Sequence, residues 1–158
     1  MVTPMPSVES VVTVSPESQP QILLESERPE FDEEFHRLVA ERAYEIFQES
    51  GGVPGGDVTN WLQAEGELAT RLNKVRRSRV WFTVSASVPG VTAEDVQVCS
   101  HRNRAIVFVQ REIDRDRVGE SSLHSRYYVV RWPEDVEPES VRAHVENGSL
   151  TLIACQAQ

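Results

Sequence analysis

From Val80 to the end of the chain, apolar side chains recur at every second position in short runs separated by turn-forming residues. A period of two is that of an extended strand with one buried side. Repeated along half the chain, it predicts a mainly β fold, an immunoglobulin-like antiparallel β-sandwich. Six strands follow: Val80–Val88, Asp95–Ser100, Arg104–Arg111, Arg126–Trp132, Ser140–Glu146 and Ser149–Cys155. The strongest local signal is Asn147-Gly148, the two-residue hairpin turn. It sets Val141, Ala143 and Val145 facing Leu150, Leu152 and Ala154 on one buried side.

Upstream the period changes. Phe35, Leu38, Val39, Ala43, Ile46 and Phe47 recur three and four residues apart, which predicts an amphipathic helix over 31–49 that ends at Ser50-Gly51-Gly52. The loop through Gly56 leads to Asp57, an N-cap residue, and a second helix over 58–72 with Trp61, Leu62, Glu65 and Leu68 inward. The organisation expected is a helical hairpin at 31–72, a linker at 73–79 and a sandwich at 80–156. Residues 1–30 contain five prolines among Ser, Glu and Gln, without apolar periodicity, and read as a disordered acidic tail. Val11–Val14 and Ile22-Leu23-Leu24 interrupt it, and each is suited to dock on a partner as an added strand or a hydrophobic anchor.

Charge narrows the function classes. The 158 residues hold 16 bases and 25 acids, a net charge of −9, and residues 1–34 alone contribute eight acids and one base. Such a balance repels phosphate backbones and anionic lipid, so neither nucleic acid nor a membrane is the expected partner. The basic stretch Lys74, Arg76, Arg77 and Arg79 lacks interleaved aromatics and reads as a solvated connector. The N-terminus shows no secretory pattern and the two cysteines form no C-x-x-C pair. A soluble, unprocessed protein of the reducing cytoplasm is expected.

No catalytic, cofactor-binding or metal-binding residues are predicted. Gly51–Gly56 lacks the Lys-Ser/Thr of a phosphate loop. Cys99-Ser100-His101 puts a thiol and an imidazole on one strand face, but His36, His124 and His144 stand in other segments, so both read as surface residues. Ser121, Ser122 or Ser125 beside His124 lacks a nucleophile elbow and reads as a polar loop. Cys99 and Cys155 alternate with inward-facing residues and are expected to be accessible thiols.

The β half resembles the α-crystallin domain of the small heat-shock proteins. Trp81–Val91 looks like the family strand that ends in an apolar residue, Pro, Gly and Val. Ala93-Glu94-Asp95-Val96-Gln97-Val98 is similar to its "x-E-D-V-x-V" element and Arg131–Val136 to "R-L-P-x-x-V". Ala143–Leu150 is similar to "A-x-x-x-N-G-x-L". The helical part, with Arg42–Phe47 and Trp61–Glu65, is similar to a short bacterial domain of unknown function, which implies a bacterial origin. The resemblance implies an ATP-independent holdase that binds partly unfolded clients, needs no cofactor and is not an enzyme. In the family the binding groove lies between the "E-D-V-x-V" and "A-x-x-x-N-G" strands. Here that implies Val98 on one side and Val141, Ala143 and Val145 on the other, with Val145 reading as ordinary core.

Three departures stand out. After Cys155 there is no I-x-I or I-x-V element, which in the family fills the groove of a neighbouring subunit. Glu112–Ser125 is short for an exchanged dimer strand, and Tyr128 stands where many relatives have arginine. Self-association as a different dimer, through the helical hairpin, is expected. The alternative function is a non-catalytic adaptor for one native protein partner.

Overall fold

The computed structural model describes residues 19–115 and 120–158. In chain order its elements are β1 (Gln21–Leu24), α1 (Glu30–Glu49), α2 (Asp57–Leu68), β2 (Ala69–Arg71), β3 (Arg76–Ser78), β4 (Trp81–Ser87), β5 (Val96–Ser100), β6 (Arg104–Arg115), β7 (Glu120–Arg131), β8 (Arg142–Glu146) and β9 (Ser149–Cys155). One sheet has the order β1-β5-β6-β7-β2 and the other β3-β4-β9-β8. Neighbouring strands are antiparallel except β1 on β5 and β2 on β7, which run parallel.

The sandwich core is built as the alternation predicts. Val96, Val98, Ala105, Val107, Val109, Tyr128 and Val130 of the first sheet meet Phe82, Val84, Ala143, Leu150, Leu152 and Ala154 of the second. At the β8–β9 turn Asn147 and Gly148 both have positive φ, 51° and 75°, the signature of a primed hairpin turn. A Cβ at Gly148 would lie 3.3 Å from the Pro89 backbone, so a side chain there meets both crowding and strain.

A third layer covers the other face of the first sheet. Phe31, Phe35, Val39 and Ile46 of α1 and Ala64 of α2 form a second apolar cluster with Cys99, Ile106 and Val129. Phe31 stacks on Phe108 with ring centroids 5.4 Å apart, and Phe35 sits 4.8 Å from Tyr127. Arg131 of β7 adds a two-pronged ion pair to the buried Glu65 of α2, at 3.1 and 2.7 Å. The hairpin is therefore docked on the sandwich and not carried on a free connector.

Four expectations are corrected here. Strand β1, the 3-10 turn Glu25–Glu27 and the first residue of α1 lie within the stretch read as a disordered tail, because β5 offers an open edge that pairs the Ile22-Leu23-Leu24 backbone. The rest of that stretch before residue 19, with Val11–Val14, lies outside the described residues. Helix α2 stops at Leu68, not Leu72. Ala69 turns extended, and Ala69–Arg71 pairs with Tyr127–Val129 at the opposite edge. Arg76–Ser78, read as linker, is an exposed edge strand on β4. Asp57 is the first residue of α2, after Gly56, and makes no side-chain cap bond.

Among the described residues, no helix is long and apolar enough to cross a membrane. Since Phe35 is 2% exposed between α1 and the sheet, Phe35→Ala is expected to lower stability by about 3–5 kcal/mol. Chemical denaturation would measure this, and a loss under about 1 kcal/mol would contradict the docked layer.

Candidate partner groove and the strand that fills it

The candidate groove is the seam between β5, which has only the short strand β1 outside it, and β8, the edge of the second sheet. Val98 lines the β5 side and is fully buried. Val141, just before β8, and Ala143, within it, are buried on the other side, and Val145 is partly buried against the same core. All four sequence-predicted groove residues belong to or pack against the sandwich core, Val98 from β5 and the other three from β8 or the residue just before it.

That seam is filled by the chain itself. Strand β1 lies parallel on β5, with Gln21, Ile22, Leu23 and Leu24 opposite Gln97, Val98, Cys99 and Ser100. It also touches β8 across the gap. Alternation then divides its side chains. Ile22 packs against the inner core with Val98, and Leu23 joins the helix-side cluster with Cys99. Gln97 Nε2 donates to Gln21 Oε1 at 3.0 Å on the strand's polar end. No residue of β1 is fully buried, so the strand is held more lightly than the core beneath it.

Directly after β1 the chain meets a buried polar group. His101 Nε2 lies 2.9 Å from Asp32 Oδ1, and its Nδ1 is 3.3 Å from Glu25 Oε1, off the line of a hydrogen bond. Ser100 Oγ donates to the Pro138 carbonyl at 2.8 Å. Burial alone would raise the Asp32 pKa, but the hydrogen bond and charge of His101, with the charge of His36, carry it below the ordinary carboxylate value. Burial, and then the neighbouring Asp32 carboxylate, push the Cys99 thiol far above the ordinary thiol range.

These positions correct two expectations. Cys99 and His101 are buried, not surface residues, because α1 covers the sheet face that alternation assigned to the outside. Cys99 is therefore not an accessible thiol, whereas Cys155 is partly exposed. Ser121, Ser122, His124 and Ser125, read as a polar loop, belong to strand β7 and pair with β6; Ser125 is exposed, and the side chains of the other three lie outside the described residues. Ile22 belongs to the Ile22-Leu23-Leu24 triplet that the sequence marks as an added strand for a partner, and the structure pairs that triplet with β5 of its own chain instead.

The Hsp20/alpha crystallin family model matches residues 74–158, and a model described as "Protein of unknown function (DUF2934)" matches residues 34–70. The chain belongs to the Hsp20/alpha crystallin family. Similar solved structures include stress-induced protein 1 from Caenorhabditis elegans, 18% identical, with a TM-score of 0.45 over 53% of this chain and 86% of that one. Heat shock protein 16.0 from Schizosaccharomyces pombe is 19% identical, with a TM-score of 0.46 over 54% and 72%. The rat alpha crystallin domain is 21% identical, with a TM-score of 0.44 over 54% and 88%. No curated protein matches the chain in sequence. Strand β1 precedes both matched segments.

A charge in place of Ile22 is expected to release β1 without unfolding the sandwich. In Ile22→Asp, amide hydrogen exchange should quicken in Val96–Ser100 and stay unchanged in the interior of β4 and β9. Unaltered exchange in β5 would contradict the account of β1 as the edge cover.

Proposed function

We propose that this small heat-shock family member is an ATP-independent holdase that takes extended apolar segments of unfolding proteins at the β5–β8 seam. The observation that carries the reading is that β5 pairs the chain's own extended segment β1 in parallel register, with Ile22 opposite Val98 and packed against the inner core. Strand addition draws affinity from backbone hydrogen bonds and selectivity from alternate side-chain pockets. A client segment with a β-branched or leucine side chain at Ile22's place would satisfy both. Val98, Val141, Ala143 and Val145 are the residues it would meet.

On this reading β1 is the resident competitor. Its three apolar side chains are half-buried, so each contributes on the order of 1 kcal/mol. Their sum lies well below the roughly 5–15 kcal/mol of a whole fold. Local release of β1 therefore precedes global unfolding as conditions harden, and the seam opens when clients appear. The protein acts without nucleotide or other cofactor, in a bacterial cytoplasm, with unfolded proteins as partners. Self-association is proposed through the helical hairpin, where Tyr44 and Val58 are 59% and 72% exposed.

The covered seam also favours a second reading, a non-catalytic adaptor that holds one native protein and leaves unfolded chains alone. Light scattering from several unrelated heat-destabilised proteins separates the two. The holdase reading expects scattering to fall in the presence of the chain without nucleotide, and to fall further with Ile22→Asp. If neither protein lowers scattering at several-fold excess, the holdase reading fails and the adaptor reading remains.

A further inference from the structure

We propose that Asp32, Cys99 and His101 form a binding site for one divalent transition-metal ion of the zinc class. Asp32 comes from the first turn of α1, Cys99 from β5, and His101 from the residue just beyond the strand. A carboxylate oxygen, the Cys99 sulfur and an imidazole nitrogen of these buried residues lie within 4.8 Å of one another. In a tetrahedral zinc site the same donor types stand roughly 3.3–3.6 Å apart, as bond lengths of about 2.0–2.3 Å require. To take the ion, Asp32 Oδ1 and His101 Nε2, now hydrogen-bonded at 2.9 Å, part by a few tenths of an ångström and the wider separations close by roughly an ångström.

The donor set itself selects the ion. A thiolate with an imidazole and a carboxylate suits zinc and its neighbours, whereas calcium and magnesium take oxygen ligands. Charge points the same way. A thiolate and a carboxylate side by side in the interior repel each other. A dication balances both charges. On binding, the S–H bond breaks, the proton leaves to solvent, and the sulfur lone pair forms the bond to the metal.

His101 supplies an independent observation. Its side chain is 2% exposed, and its Nδ1 has no hydrogen-bond partner although Glu25 Oε1 stands 3.3 Å away. A histidine that ligates a metal through one nitrogen carries its proton on the other and donates it to a carboxylate or carbonyl. With Nε2 turned from Asp32 to the ion, Nδ1–H has Glu25 as its natural acceptor. His36, whose ring centroid is 5.9 Å from that of His101, is held through Nε2 by Arg104 at 2.7 Å and is not counted as a ligand. Glu25 and His36, 67% and 35% exposed, flank the cluster. Through that side an ion enters, and a water completes its fourth position.

The test is cobalt titration of the full chain after chelator treatment. The expected result is a thiolate-to-cobalt charge-transfer band that saturates at one ion per chain and is abolished by zinc. Cys155→Ser should keep the band and Cys99→Ser should lose it. Glu25→Gln, an exposed position that leaves the fold intact, should weaken cobalt binding by about 10–100-fold. A folded wild-type chain without the band, a band that persists in Cys99→Ser, or one that vanishes in Cys155→Ser would overturn the site. Should Cys99→Ser fail to fold, the wild-type chain, Cys155→Ser and Glu25→Gln decide the matter.

Discussion

Strands β5, β6 and β7 are apolar on both faces, and this double burial organises the rest of the molecule. Val98, Val107 and Val130 look toward the second sheet, while Cys99, Ile106 and Val129 look away from it. A sheet with only its inner face covered would leave the second set in water, at about 25 cal/mol per Å² of apolar surface. The helices supply the missing cover with Phe31, Phe35 and Val39. The dependence is mutual, because a hairpin of about 40 residues is at the limit below which chains rarely fold alone. The two segments that match separate family models thus meet in one shared apolar cluster.

A sheet buried on both faces still has two open edges, and open edges invite unwanted pairing. This chain closes both with short parallel strands of its own, β1 at β5 and β2 at β7. The other sheet leaves Arg76 and Arg77 exposed on β3, charges that discourage a further strand. The two covers differ in character. Strand β2 is continuous with α2, and Leu72 N–H donates to the Val129 carbonyl at 2.8 Å just after it. Strand β1 is joined to α1 through the Glu25–Glu27 turn and Pro29, and none of its four residues is fully buried. It lies over the seam proposed for client segments.

Much of the sandwich was legible in the sequence because alternation and turn chemistry are local. The Asn147-Gly148 hairpin carries its own register, and the six long strands follow from their period. The short strands were not legible, since three or four residues have no internal period and their conformation is set by the edge they meet. Nor was the burial of Cys99 and His101, because alternation tells which face a residue takes and not whether that face is covered. A signal was present in the consecutive apolar residues Ile106-Val107-Phe108-Val109 and Tyr127-Tyr128-Val129-Val130, the mark of strands buried on both sides. The proposed groove residues come from the family motifs. The triplet Ile22-Leu23-Leu24 was legible as an added strand, but the edge it joins was not, because it lies upstream of every motif.

The seam is filled by the same chain that forms it. Gln21 and Gln97 are register partners whose side chains already meet at 3.0 Å. A chain carrying Gln21→Cys, Gln97→Cys and Cys155→Ser, oxidised and run on a non-reducing gel, tests the point directly. The account predicts a cross-linked band at the mass of one chain. A covalent dimer, or no cross-link at all, would contradict it.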